Sequence, residues 1–256
     1  MAHLSLWLLG ACRAAVDGEP VTDFATDKVQ SLLAYLAVEA DRPHRRDALA
    51  EFLWPGDSSK NARRSLRQAL YQLRQAIGDR DASDGTDERD PGASPFFHVS
   101  RRTIQFNAQS HHWVDAAEVV SLAEACKQHR HRSRATCLPC LRRMERMVEL
   151  YRGEFMDGFP AGSSPAFEEW VLIRREWLHR EATEALTHLA DWSERRGDLR
   201  RAREYARRQV DLEPWREEAH RQLMRLLAME GQHSAALAQY KDCREALRTE
   251  LGVEPM

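Results

Sequence analysis

The segment Lys60-Asn61-Ala62-Arg63-Arg64-Ser65-Leu66-Arg67-Gln68-Ala69-Leu70-Tyr71-Gln72-Leu73-Arg74-Gln75-Ala76-Ile77 reads as one amphipathic helix. Laid out at ~100° per residue, Ala62, Leu66, Ala69, Leu70, Leu73 and Ile77 fall on a stripe about 80° wide, the width that one buried face requires. Arg64, Gln68, Tyr71 and Gln75 occupy the opposite face. Lys60, Arg63, Arg67 and Arg74 line one flank, and Gln72 the other. Ser58 or Ser59 supplies the N-cap. From Lys60 to Gly78 there are five basic residues and no acidic one.

Two readings compete for that outward face. A run of charge is commonly a solvated surface, and arginine is abundant throughout: only four of the 38 basic residues are lysine. Against this, acids are plentiful elsewhere yet missing here. Arg and Gln also interleave, and these are the side chains that make bidentate contacts to guanine and adenine. The neighbours then favour a DNA-reading helix.

Upstream, residues 4–9 are apolar and lack a breaker, and Ala15 to Val21 contains the turn signal Asp17-Gly18. Together they suggest a small N-terminal antiparallel sheet. Asp27 can cap a helix running to about Glu39, with Val29, Leu32, Leu33, Leu36 and Ala37 inward. Pro43 interrupts. A second helix is expected from about His44 to Leu53, and Trp54-Pro55-Gly56-Asp57 ends it. Downstream, Asp79 to Pro95 is a polar, acidic loop. Phe97, Val99, Ile104 and Phe106 then alternate around Ser100-Arg101-Arg102-Thr103, a hairpin with a basic tip. Sheet, three helices and a basic hairpin form the layout of a winged helix-turn-helix.

From about Trp113 little reads as strand. Helices are expected over 115–126 and 138–151. Tyr151 to Pro160 is a turn-rich connector whose two phenylalanines must pack somewhere. A long helix runs from Ser164 or Pro165 to Arg196. An internal repeat follows: Gly197, Ala202, Ala206 and Gln209 recur 34 residues later as Gly231, Ala236, Tyr240 and Cys243. The period looks like that of tetratricopeptide repeats. The expected class is therefore mainly α with a small β part. A winged helix over residues 1–108 precedes an all-α, tetratricopeptide-like domain over 113–256. A fragment 1–112 is expected to bind DNA weakly by itself.

With 38 basic and 40 acidic residues the net charge is −2, which excludes a polycation coating nucleic acid along its whole length but not a local basic patch. No stretch approaches the ~18 apolar residues of a membrane helix. Leu9-Gly10-Ala11-Cys12 loosely resembles a lipoprotein cleavage site, yet no Lys or Arg precedes it and the apolar run is short. The expected location is the cytoplasm. No G-x-x-x-x-G-K-[ST], G-x-S-x-G or H-E-x-x-H occurs, so neither a nucleotide site nor catalysis is expected.

Five cysteines are too few and too unevenly spaced for a secreted disulfide framework. Three of them lie in Cys126-x2-His129-x-His131-x5-Cys137-x2-Cys140. Two thiolates of a C-x2-C, a third cysteine and an imidazole can surround a tetrahedral zinc. The spacing departs from a standard finger, and two helix-end cysteines flanking a solvated His-Arg loop would look the same. Which histidine would serve is open. Cys12 and Cys243 read as small core residues.

Taken together, Leu6-Trp7-Leu8-Leu9-Gly10, Leu33-Ala34-Tyr35-Leu36-Ala37, Arg46-Asp47-Ala48-Leu49-Ala50, Leu53-Trp54-Pro55 and Ala62-Arg63-Arg64-Ser65-Leu66-Arg67-Gln68-Ala69-Leu70 resemble the bacterial antibiotic-regulatory-protein activators. Leu150-Tyr151-Arg152-Gly153-Glu154-Phe155, Trp170 with Arg174-Arg175, and Leu251-Gly252-Val253-Glu254-Pro255 extend the resemblance over nearly the whole chain. It implies an OmpR-like winged helix and a bacterial transcriptional activator domain. It also implies binding to promoter repeats, with two protomers on DNA, and recruitment of RNA polymerase, which the loop Trp54 to Ser59 would face. Some members continue into an ATPase region; a short form and a fragment ending at a domain edge both fit this chain. On the residues themselves, Arg64, Gln68 and Tyr71 would reach base edges, with Gln72 beside them. Lys60, Arg63, Arg67 and Arg74 would sit on phosphates, and Arg101 and Arg102 would enter the adjacent minor groove or touch its phosphates. The rival is a helical-repeat scaffold that binds protein and not DNA.

Overall fold

A computed structural model describes residues 2–22, 24–79, 96–130, 136–159 and 164–255. The chain divides into two compact units, one of residues 1–118 and 152–178, the other of residues 119–151 and 179–256.

In the first unit, β1 (Leu4–Trp7) pairs antiparallel with β2 (Arg13–Val16), which pairs with β3 (Glu19–Pro20). The expected N-terminal sheet is present, with one strand more. β7 (His112–Val114) lies parallel to β1, in the register Leu4↔His112 to Leu6↔Val114. The sequence reading assigned no strand here, because three residues show no period. A fragment ending at residue 112 would lack most of this strand.

α1 (Asp27–Val38) is capped by Thr26 rather than by Asp27, which is its first residue, and Thr26 makes no side-chain capping bond. α2 (Arg46–Leu53) starts two residues later than expected, because His44–Arg45 forms β4 instead. β4 pairs with β6 (Thr103–Phe106), which pairs with β5 (Phe97–Val99). α3 (Ser59–Ala76) is the helix read first: Ser58 Oγ accepts from the Asn61 N–H at 3.4 Å, and Ala62, Leu66, Ala69, Leu70 and Leu73 are buried. Residues 80–95 of the acidic loop lie outside the described residues.

The connector joins the first unit by backbone pairing. Met156 N–H donates to Leu8 O at 2.7 Å, and Gly10 N–H donates to Glu154 O at 2.8 Å. Phe155 is fully buried against Trp170, their rings 5.5 Å apart, and Arg175 Nε donates to Phe155 O at 3.2 Å. Phe159 packs on Phe167 at 6.0 Å. Residues 152–178 thus belong with the N-terminal unit, a closure over distance that the linear division at 108 and 113 does not contain.

α4 (Asp115–Gln128) ends two residues beyond the expected boundary, and α5 (Leu138–Leu150) follows. The long helix α6 spans Pro165–Arg195. α7 (Leu199–Leu212), α8 (Glu217–Met229) and α9 (His233–Glu250) complete the second unit. Ala202, Ala206, Leu223, Leu226 and Leu227 form one core cluster within it, with Ala236 packed alongside. The 34-residue repeat extends to the backbone. Gly197 N–H donates to Glu194 O and Asp198 N–H to Ser193 O, while Gly231 N–H donates to Ala228 O and Gln232 N–H to Leu227 O, all at 2.9–3.0 Å. Gln209 and Cys243, at equivalent places, are both buried; Ala206 is buried too, but its counterpart Tyr240 is exposed. Cys12, expected in the core, is only half-buried.

Candidate nucleic-acid interface and thiol–imidazole cluster

With its apolar stripe buried, α3 leaves Lys60, Arg63, Arg64, Arg67, Gln68, Tyr71 and Gln75 exposed, and Gln72 half-buried. The hairpin tip is fixed by Ser100, whose Oγ accepts from the Arg102 and Thr103 N–H groups at 3.1 and 2.9 Å. α2 holds that tip: Arg46 N–H donates to Arg102 O at 2.9 Å, and the Arg46 guanidinium donates to Ser100 O at 2.9 Å. The wing therefore stands beside α3 through its bonds to α2.

Between these elements lies a cavity of about 500 Å³ lined by Arg45, Arg46, Asp47, Arg63, Leu66, Arg67, Arg101 and Arg102. Six of its eight lining residues are arginines, and Asp47 is the one acid. Asp47 pairs with Arg63 at 2.7 Å, both exposed. Burial first, then the nearby Arg67 charge, lower the pKa of Arg46. Such a concavity attracts a polyanion: guanidinium forks match phosphate oxygens bidentately, and the facing charges reinforce one another's field.

Arg63, Arg67, Arg101 and Arg102 are thus brought together as the sequence suggested, while Arg64, Gln68 and Tyr71 project from the outer face of the same helix. Sequence reasoning missed Arg45 and Arg46; the only signal was a basic pair after Pro43. Arg74 is a correction. Its side chain is only 13% exposed and pairs with the buried Asp79 at 3.2 Å. Asp79 in turn accepts from the Phe96 N–H at 3.0 Å, so Arg74 fastens the hairpin's root instead of facing outward. Beside Trp54, Pro55, Asp57 and Ser59 a second cavity of about 210 Å³ opens.

The second unit contains another chemical cluster. His129 Nδ1 lies 3.3 Å from Cys140 Sγ and 3.4 Å from Cys137 Sγ. These three ligand atoms fall within 4.8 Å of one another, a geometry able to hold a metal ion. Cys126, expected as an equal member, stands just outside the group; its buried thiol donates to Cys140 O at 3.8 Å. Burial first, then the adjacent Cys137 and Cys126 thiols, push the Cys140 thiol up to about 11. His131 lies outside the described residues.

Among the described residues no helix is long and apolar enough to cross a membrane. A search of curated proteins found no match. The chain is similar in fold to the solved structure titled "Mycobacterium tuberculosis EmbR in complex with low affinity phosphopeptide", with a TM-score of 0.66 at 20% identity. That likeness covers all of this chain and 62% of the other, so the chain spans less than two thirds of its relative's length. It agrees with a winged helix followed by an activator domain. Residues 114–256 match the bacterial transcriptional activator domain, a family of transcription regulators and not of enzymes. The chain belongs to the bacterial transcriptional activator domain family, as its resemblance to the antibiotic-regulatory activators implied.

Proposed function

We propose that this regulator binds promoter DNA sequence-specifically through α3 and the β5–β6 wing. The observation that carries the reading is the arginine-lined concavity where α3, the start of α2 and the wing tip converge. Arg67, Arg101 and Arg102 seat phosphates there, and Arg45 and Arg46 join them. Lys60 and Arg63 extend the contact along the backbone, while Arg64, Gln68 and Tyr71, with Gln72 at the flank, meet base edges. The loop Trp54 to Ser59 then faces RNA polymerase, and two protomers occupy a promoter repeat. These events belong in the cytoplasm. The second unit serves as a helical, tetratricopeptide-like platform, held in part by a structural metal ion at His129, Cys137 and Cys140. A scaffold that binds only protein would leave the arginine concavity without a purpose.

The test is a titration of the full chain against the DNA upstream of its own gene and against a scrambled duplex, across salt. Tighter binding to the specific duplex is expected, with log K falling linearly in log salt by about 0.9 for each phosphate neutralised. Absence of binding to either duplex at low salt would return the chain to the scaffold reading.

A further inference from the structure

We propose that Cys126 is the fourth ligand of a closed tetrahedral zinc site with His129, Cys137 and Cys140, and that this site clips the end of α4 to the start of α5. The inference rests on reading the thiol–imidazole cluster as a metal site, and it names the ion, the ligand set and what the ion holds together.

The geometry already approximates the ligand polyhedron. A tetrahedron with Zn–S of about 2.3 Å and Zn–N of about 2.0–2.1 Å has N···S edges of about 3.5 Å. The two N···S edges here are 3.3 and 3.4 Å. The ligands also come as two pairs with the same spacing. Cys126 lies in the last turn of α4, and His129, three residues on, is the first residue past its end. Cys137 caps α5, and Cys140 lies in its first turn. Sulfur and imidazole donors in this number select zinc over magnesium or calcium, which take oxygen.

Three sulfurs and one nitrogen come within reach, because Cys126 is already in contact with Cys140. Its thiol donates to the Cys140 carbonyl at 3.8 Å, and it is 1% exposed, so water does not compete for it. To bind the ion, its sulfur would exchange that carbonyl for the centre shared by the other three. Three thiolates around a divalent ion leave one negative charge. Two features of the fold offset it: the N–H groups of the first turn of α5, and Arg143, whose guanidinium donates to Cys140 Sγ at 3.9 Å. With all four positions filled by protein, the ion has no open position for catalysis, as in structural zinc sites.

The experiment is zinc X-ray absorption on the full chain, with elemental analysis, repeated on Cys126→His, Cys126→Ala and a Cys243→Ala control. About one zinc per chain is expected, in a shell of three sulfurs and one nitrogen. Cys126→His, which keeps a ligand, should convert that shell to two sulfurs and two nitrogens; Cys126→Ala should leave two sulfurs; Cys243→Ala should change nothing. Zinc bound by two sulfurs, one nitrogen and an oxygen in the unmodified chain would overturn Cys126 as ligand while leaving the metal reading intact. So would three sulfurs that survive Cys126→Ala. Negligible zinc, with Cys137 and Cys140 both alkylated in the folded chain, would overturn the metal reading itself. If the variants fail to fold, the shell of the unmodified chain still decides between three sulfurs and two.

Discussion

The Leu8 N–H donates to Asp115 Oδ1 at 2.8 Å across 107 residues of chain, tying the end of β1 to the start of α4. The other carboxylate oxygen accepts from the Leu9 N–H at 3.0 Å, and Oδ1 also accepts from the Ala116 N–H at 2.7 Å. One buried side chain thus satisfies three buried backbone donors. Asp115→Ala would strand them, at about 1–3 kcal/mol for each group left unsatisfied, so a loss of at least ~3 kcal/mol is expected in the first unit. Burial, the largest influence, raises the Asp115 pKa above its ordinary 3.8, against the pull of the three N–H bonds and Arg152. A raised folded-state pKa means that the folded chain holds the proton more tightly. Asp115 therefore contributes most at low pH, and that contribution declines as pH rises from 3.8 through the folded value. Hydrogen exchange at the Leu8 and Leu9 amides checks both points; unchanged protection in Asp115→Ala would refute the role.

Glu39 behaves in the opposite sense. Burial raises its pKa, but hydrogen bonds from Trp170 and Arg174, with the charges of Arg174 and Arg42, outweigh it and hold the carboxyl below its ordinary 4.5. Trp170 Nε1 donates to Glu39 Oε1 at 2.9 Å and Arg174 Nε at 3.1 Å. A depressed folded-state pKa gives stability that is fully present above 4.5 and is lost as pH falls through the folded value. Glu39→Gln is expected to cost ~1.5–3 kcal/mol at neutral pH, the usual worth of a hydrogen bond to a charged group. The deficit should shrink on acidification. Urea unfolding at neutral and acid pH measures it, and a deficit independent of pH would contradict the assignment.

Gly197 and Gly231, 34 residues apart, have φ of +77° and +74° and end α6 and α8 with the same turn. Space is not the constraint, since a Cβ at either would meet nothing within 4 Å. The left-handed conformation is, and it costs other residues ~1–2 kcal/mol. Each alanine substitution should therefore destabilise the second unit by about 1 kcal/mol or somewhat more. Gly56→Ala is the control, being equally unobstructed and without a positive φ. Thermal unfolding of the variants would expose an error if Gly56→Ala were the most damaging.

What the sequence made legible was local. The stripe on α3, its serine cap, the alternating hairpin and the 34-residue turn all repeat within a few residues or at one fixed interval. What it hid depends on partners far along the chain. β7 has three residues and no period, and it is a strand because β1 lies beside it. Phe155 needed a partner, but only the fold identifies Trp170. Charge alone also misjudged Arg74: its position on the flank looked like that of Arg67, and nothing in composition marks Asp79 as a buried partner. Likewise, spacing alone did not show that His129, Cys137 and Cys140 converge while Cys126 stands just outside them.

That difference between Arg74 and its neighbours makes the recognition helix testable by dissection. Arg64 is exposed on the outer face of α3, and as a base-reading residue its loss should relax sequence preference and cost ~1–3 kcal/mol at the contacted base pair. Lys60 and Arg67, as phosphate contacts, should each weaken binding to all duplexes about equally when changed to alanine, with the salt slope reduced by ~1. Arg74→Ala should do neither. It would instead strip the partner from Asp79, which also holds the Phe96 N–H, and so loosen the hairpin's root and lower stability. Parallel titrations on specific and scrambled duplexes, with unfolding curves for each variant, separate the three roles. Equal losses on both duplexes from Arg64→Ala and Lys60→Ala would sink the division between base and phosphate contacts. A salt slope that fell in Arg74→Ala, with stability unchanged, would show that its guanidinium leaves Asp79 for the phosphate backbone.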